Sequence, residues 1–215
     1  MIVSDEPASR PVGTIWMLNL EEPISMITPG LGATFARYGP EAASVLAEAM
    51  GDDVLVDVRH RFSSGRRCYT ARVNDQIAAY GWVSFDEEFV GELNLHLKLL
   101  PDEAYIWNCA TLSGFRRKYL YSALLTYIVR ELQKDHVSRV WIGADKVNVP
   151  SQKGIARAGF TYVADLVITR VKSLRQIGIE GQPGVPAKLV AQARRVFLND
   201  REKISLPVSN PSLST

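Results

Sequence analysis

The hydrophobic period of this chain changes once, near Ser113-Gly114, and that change limits the folds open to it. Upstream, from Cys68 to Thr111, short apolar runs are parted by Asn74-Asp75-Gln76, Asp86-Glu87-Glu88 and Pro101-Asp102-Glu103. Phe89 to Leu99 alternates most cleanly, with Leu93, Leu95, Leu97 and Leu99 on one face and Glu92, Asn94, His96 and Lys98 on the other. A period of two with short polar turns is the pattern of consecutive hairpins, so this half predicts an antiparallel sheet. Downstream, Leu120, Ala123, Leu124, Tyr127, Ile128 and Leu132 recur every three or four residues, the apolar stripe of a helix. Arg139 to Ala144 is again β-rich, Pro150 opens a second helix ending at Gly159, and Thr161 to Val171 reads as a last strand. Hairpins followed by alternating strands and helices predict the α/β (α+β) class. The expected architecture is a mixed, mostly antiparallel central sheet with helices on both faces.

The flanks are less patterned. Residues 1–12 read as a loose lead-in, and a first strand is expected over about 13 to 20. Proline at the start of a helix is tolerated, so Pro40 followed by Ala42 to Met50 predicts a helix ending at Gly51. The β-branched run Val54 to Val58 predicts a short strand. Ser113 stands where it would cap the turn ahead of the long helix. These elements give one domain over residues 13–171. Residues 172–215 form a C-terminal extension in which glycines and prolines interrupt any period before one helix, Ala187 to Leu198. That extension is expected either to cover the sheet or to make a homodimer contact. Its Ser/Pro-rich end, from Ser205, is expected to be disordered.

Apolar residues make up 47% of the chain and charged residues 22%, with a formal net charge of +2, which fits a soluble globular protein rather than a nucleic-acid or membrane protein. No apolar run reaches the length of about 20 residues that crosses a bilayer. The N-terminus lacks a basic start followed by an apolar core, so a cytoplasmic protein is expected. Cys68 and Cys109 have neither ligand nor redox spacing and fall in predicted strands, so no metal is expected and both read as packed thiols.

The informative segment is Phe115-Arg116-Arg117-Lys118-Tyr119-Leu120-Tyr121-Ser122-Ala123-Leu124-Leu125, answered downstream by Asn148-Val149-Pro150-Ser151 and Gly159-Phe160. A strand running into a basic turn that opens a helix presents backbone N–H groups and cations to an anion. These residues resemble the GNAT acyltransferases, whose turn reads Arg/Gln-x-x-Gly-x-Gly/Ala and whose second motif begins with Asn and closes on Gly-Phe. Arg116 takes the first place of the turn, and Asn148, Ser151, Lys153, Arg157, Gly159 and Phe160 match the second motif. The resemblance covers roughly residues 67 to 170. Both glycines of the turn are replaced, by Tyr119 and Tyr121, and the place of the family's tyrosine general acid falls on Ile155, which cannot donate a proton. A helical backbone at Tyr119 would keep its N–H on the ligand while the ring leans aside.

The resemblance implies an N-acyltransferase using acetyl-CoA, or another acyl-CoA, to acylate a small-molecule or amino-acid-like primary amine by direct attack in a ternary complex. The cofactor-binding set it implies has three parts. Backbone of Cys109, Ala110 and Thr111 would meet the pantetheine arm in an opening between strands. The turn Arg116, Arg117, Lys118, Tyr119, Leu120, Tyr121 and Ser122 would hold the pyrophosphate. Asn148 would lie beside the arm or cap the second helix. For a catalytic base, Glu92 and His96 are the candidates by type, sharing the polar face of one predicted strand. Asp102 and Glu103 read as solvated turn residues. Two other readings stay open. In one, the donor is a longer acyl chain or an acyl carrier protein docked on Arg116, Arg117 and Lys118. In the other, the chain is an inactive ligand-binding module.

Overall fold

The computed structural model describes residues 9–21, 23–51, 54–171, 174–198 and 204–207. Its strands are β1 (Ser9–Asn19), β2 (Thr34–Tyr38), β3 (Arg67–Val73), β4 (Gln76–Ser84), β5 (Glu87–Val90), β6 (Leu95–Lys98), β7 (Glu103–Thr111), β8 (Arg139–Asp145), β9 (Thr161–Val171), β10 (Leu174–Gly181) and β11 (Ile204–Pro207). Its helices are α1 (Ala43–Met50), α2 (Leu55–Ser63), α3 (Leu120–Lys134), α4 (Val149–Arg157) and α5 (Ala187–Leu198). Nine strands form one sheet in the order β11-β10-β9-β1-β8-β7-β4-β3-β2, and β5 and β6 form a separate hairpin. Within the large sheet every adjacent pair is antiparallel except β7 and β8, which run parallel. The mixed, mostly antiparallel sheet read from the sequence is therefore the observed one.

Helices α3 and α4 cover one face. Leu120, Leu124, Leu125, Ile128 and Leu132 of α3, the stripe expected from the three-and-four spacing, are buried against Tyr69, Ala79, Ile106 and Ile142. The other face carries two layers. At one end α1 and α2 pack over Cys68, Tyr80 and Trp82. At the other end α5 and the β5–β6 hairpin cover Ile15, Tyr105, Trp141 and Ile179, with Phe197 edge-on to both Tyr105 and Trp141.

Several expectations need correction. Val54 to Val58 belongs to the start of a helix, not a strand. Val58 is fully buried while Val56 is 77% exposed, which period two forbids, and Phe62 one turn on from Val58 packs its ring 5.0 Å from Trp82. Phe89 to Leu99 is not one strand either: Gly91–Leu93 forms a 3-10 turn and Asn94 takes a left-handed backbone, so the run folds back as β5 and β6. Its leucines 95, 97 and 99 do share one buried face. Ser113 caps nothing; Leu112 stands ahead of the turn and no side chain bonds there.

Residues 9–12 are already strand, and β1 lies between β8 and β9 in the middle of the sheet, antiparallel to both. The extension is likewise part of the fold, since β10 pairs with β9 along eight residues and α5 seals one face. Beyond Pro207 the expected loose end lies outside the described residues.

Glu103 is not solvated. Its carboxylate is fully buried and receives Arg195 at 2.6 and 2.7 Å, Arg139 at 3.1 Å and the Leu100 N–H at 3.0 Å. It ties the starts of β7 and β8 to α5.

Candidate active site

Parallel β7 and β8 pair only from Glu103–Ile106 against Arg139–Ile142. Past that point β8 continues alongside β1 and β7 alongside β4, so the two part and leave a gap in the sheet. A bulge reinforces the parting. Asn108 is left-handed (φ 43°), and the β4–β7 register slips between the pairs Trp82–Trp107 and Tyr80–Ala110. The gap is a cavity of about 340 Å³ whose walls include Gly13, Tyr105, Trp107, Asn108, Cys109, Tyr121, Gly143, Asn148 and Ser151.

The edge of β7 at this gap has peptide groups turned away from β4. Leu112 N–H donates to the Ala78 carbonyl, and antiparallel pairing alternates, so Ala110 turns its peptide groups to β4 while Thr111 turns away from it. The Thr111 carbonyl accepts from Arg116 Nε at 3.1 Å, which fastens the basic turn to the end of the strand. Of the three residues expected to face a ligand, Cys109 lines the cavity, Thr111 presents its backbone away from β4, and Ala110 serves the sheet.

The turn itself keeps a glycine-like path without glycine. Arg117 and Tyr119 are both left-handed, at φ 62° and 58°, where an expected helical Tyr119 would have had negative φ. A side chain in this region costs about 1–2 kcal/mol. The Tyr119 phenol leans outward, 53% exposed, under the Arg157 guanidinium at 4.6 Å. The first helical bond runs from Ala123 N–H to the Tyr119 carbonyl at 3.0 Å, and the amides from Arg117 to Ser122 have no acceptor among the described residues. Six successive donors beside three exposed cations make an anion cradle at the start of α3. The Lys118 carbonyl is held by Gly30 N–H at 2.8 Å, so the segment after β1 braces the turn from outside.

Tyr121 has gone the other way, into the molecule. Its hydroxyl lies 3.1 Å from Ser151 Oγ and its ring rests on Gly154 of α4, where an added Cβ would stand 2.8 Å from Cε1 and closer still to Cδ1. Burial raises the phenol above its ordinary range, so it is protonated at neutral pH. Ser122 Oγ donates to the Gly154 carbonyl at 3.0 Å, which locks α3 to α4 at this point. Asn148 caps α4 by accepting from Ser151 N–H at 3.2 Å and lines the cavity as well. Ile155, in the place of the tyrosine acid, is fully buried in the core.

The two candidate bases lie on the hairpin beside the gap. His96 is exposed on the separate hairpin with its ring 4.6 Å from Phe89, and alternation turns it away from its cavity-lining neighbour Leu95. Glu92 sits in the 3-10 turn between the hairpin strands, and its side chain lies outside the described residues. Cys109 reaches the cavity, but burial pushes its thiol up to about 12, so it is not a nucleophile at neutral pH. Cys109→Ala should accordingly leave transfer within about threefold of the parent and thiol reagents at pH 7.5 should not inhibit, which a steady-state assay with iodoacetamide checks.

A network on the far side of the gap has no counterpart in the sequence reading. Glu88, buried, receives Arg66 at 2.7 and 3.2 Å, Ser84 Oγ at 2.5 Å and the Phe89 N–H at 3.1 Å, and Trp107 Nε1 donates to Ser84 Oγ. Beside it Arg61 of α2 donates to Asn108 Oδ1 at 3.0 Å. Among the described residues no group of three His, Cys, Asp or Glu is placed to hold a metal ion, and no helix is long and apolar enough to cross a membrane.

A model of the Acetyltransferase (GNAT) family matches residues 37–160, more than half of the sequence, and the chain belongs to that family. No curated protein matches it. Among solved structures, a GNAT-family acetyltransferase from Colwellia psychrerythraea is similar at a TM-score of 0.55 and 16% identity, covering 83% of this chain and 59% of that one. A Drosophila protein is similar at 0.51 and 15%, covering 74% and 50%. At such identities the likeness is one of fold, and this chain spans 59% of the length of the first structure and 50% of the second.

Proposed function

We propose that the chain is an N-acetyltransferase that moves acetyl from acetyl-CoA to a primary amine by direct attack in a ternary complex. One observation carries this reading: six amides without an acceptor among the described residues and three cations, at the start of α3, adjoin the gap between β7 and β8. The site fits such a cosubstrate. The cradle from Arg117 to Ser122 would hold the diphosphate, the edge of β7 at Cys109 and Thr111 would pair with the amides of the arm, and Asn148 with Ser151 would flank it. Acetyl-CoA supplies the activated acyl carbon and a thiol leaving group. The chain's own residues position the arm, shed water from the gap and hold a proton on the Tyr121 hydroxyl, with Ser151 beside it. Tyr121 thus stands in for the donor that Ile155 cannot be.

No carboxylate or histidine in the described walls is placed as a base except Asp145, at the rim, so the amine's proton leaves through water on this reading. Tyr121→Phe should lower kcat about tenfold to a hundredfold, the range of one acid–base group, with the KM for acetyl-CoA little changed. The direct test is thiol release from acetyl-CoA across a panel of amines, with calorimetry for acetyl-CoA alone. Binding with turnover of at least one amine is expected, and no acetyl-CoA binding at millimolar concentration would overturn the assignment.

A further inference from the structure

We infer that the acceptor is an amine that also carries a carboxylate, and that Arg61 receives that carboxylate at the far mouth of the gap. The inference rests on the transferase reading, because it assigns the second substrate of the same cavity. The cavity passes through the sheet. Tyr121, Asn148 and Ser151 wall it on the α3–α4 side, while Trp107, Asn108 and Leu95 belong to the side covered by α2 and the hairpin. With the anion cradle on the first side, the second mouth is left for the acceptor.

Arg61 borders that mouth through two of its walls, Trp107 and Asn108. Its guanidinium lies over the rings of Trp82 and Trp107, 5.1 and 4.7 Å from their centroids, and donates to Oδ1 of Asn108, the bulge residue of the parted strand. Burial lowers its pKa, which reports a cation partly stripped of water. Such a cation is stabilised by an anion, yet no carboxylate among the described residues comes within ion-pair distance. Glu88, the nearby buried acid, is already occupied by Arg66, Ser84 and the Phe89 amide. Asp57, one turn back on α2, makes no pair either.

The chemistry selects a carboxylate. A guanidinium stacked on indole faces offers its planar edge, which suits two parallel bonds to a carboxylate. Arg66 is neutralised by Glu88, and Asp57 one turn back acts on Arg61 without pairing to it, so the partly offset cation suits a monoanion rather than the charge of about −1.5 to −2 on a phosphate monoester. Asn108, neutral, takes one N–H and leaves the others for the ligand. Amino acids and peptides with a nearby carboxylate meet this description.

The test compares matched acceptors, L-amino acids against their amides and against the decarboxylated amines, for the parent, Arg61→Gln and Arg61→Lys. The parent should favour the acids by about tenfold to a hundredfold in kcat/KM, as expected for a charge-assisted pair. Arg61→Gln should erase that preference, and Arg61→Lys should restore part of it. A second arm needs no turnover: N-acetyl amino acids and their amides are titrated against the protein by NMR, and only the acids should bind in an Arg61-dependent way. Equal use of acids and amides by the parent, or equal binding of both or of neither, would overturn the inference. Calorimetry with acetyl-CoA separates the two claims, since its binding survives a failure at Arg61 and is lost if the transferase reading fails.

Discussion

Glu103→Ala should destabilise the fold by about 3–5 kcal/mol, because it strips two arginines of their shared buried counter-ion. The carboxylate is fully buried and bonded to Arg195, Arg139 and the Leu100 amide. Removing it leaves both guanidinium groups facing apolar packing, with Phe197 and Trp141 nearby. For a chain of this size such a loss corresponds to a fall in Tm of about 6–20 °C. Glu103→Gln should fall between the parent and alanine, since it keeps an acceptor oxygen but not the charge.

The pH dependence has a definite sign. Burial pushes this carboxyl upward, but the bonds from Arg195 and the Leu100 amide, with the Arg195 charge, outweigh it and hold the folded value below the ordinary one. A folded pKa below the unfolded value of about 4.3 means the contribution is complete above that pH. It is lost as pH falls through the folded value. The difference in Tm between the parent and Glu103→Gln should therefore be constant from pH 5 to 8 and shrink below pH 4. A difference that grew on acidification would contradict the assignment.

Gly154→Val should cripple transfer with only a modest change in stability. A Cβ at this position runs into the Tyr121 ring, which has α4 on one side and the cavity on the other. Overpacking costs about 1–3 kcal/mol, partly offset by the gain of up to about 1 kcal/mol when glycine leaves a helix interior. The ring's way out is into the gap, so the KM for acetyl-CoA should rise about tenfold to a hundredfold, equivalent to about 1.4–2.8 kcal/mol. Calorimetry should show the same loss, and Gly154→Ala paired with Tyr121→Leu should recover most of it. Unchanged acetyl-CoA affinity in Gly154→Val would remove Tyr121 from the wall of the binding site.

The motif half was readable because its residues answer to local physics. The stripe of α3, the cap at Asn148 and the alternation of Leu95, Leu97 and Leu99 each follow from one period or one hydrogen bond. Where the reading failed, the deciding force was tertiary. Val54 to Val58 has strand residues, but burial of Val58 and Phe62 against Trp82 selects the helix. Gly178 and Gly181 read as interruptions, yet they lie within β10, and Gly181 is where α5 comes closest: a Cβ there would stand 2.7 Å from Val190.

Glu103 looked like a turn residue because its partners sit 36 and 92 positions away. The site divides the same way. The basic turn at the start of α3 was visible in Arg116 to Ser122, whereas Arg61, Asn108 and the inward course of Tyr121 depend on contacts between distant elements. The candidates Glu92 and His96 were chosen as one face of one strand, and that strand is a folded-back hairpin.

The central claim is that the turn around Tyr119 holds a diphosphate through its main-chain amides, phenol notwithstanding. Titrating ¹⁵N-labelled protein with acetyl-CoA and following each backbone amide tests it most directly. The largest shifts should fall on Arg117 to Ser122, with smaller ones along Cys109 to Thr111, and acetyl-pantetheine, which carries no phosphate, should move only the latter. Saturable binding of acetyl-CoA that leaves Arg117 to Ser122 unmoved would contradict the account.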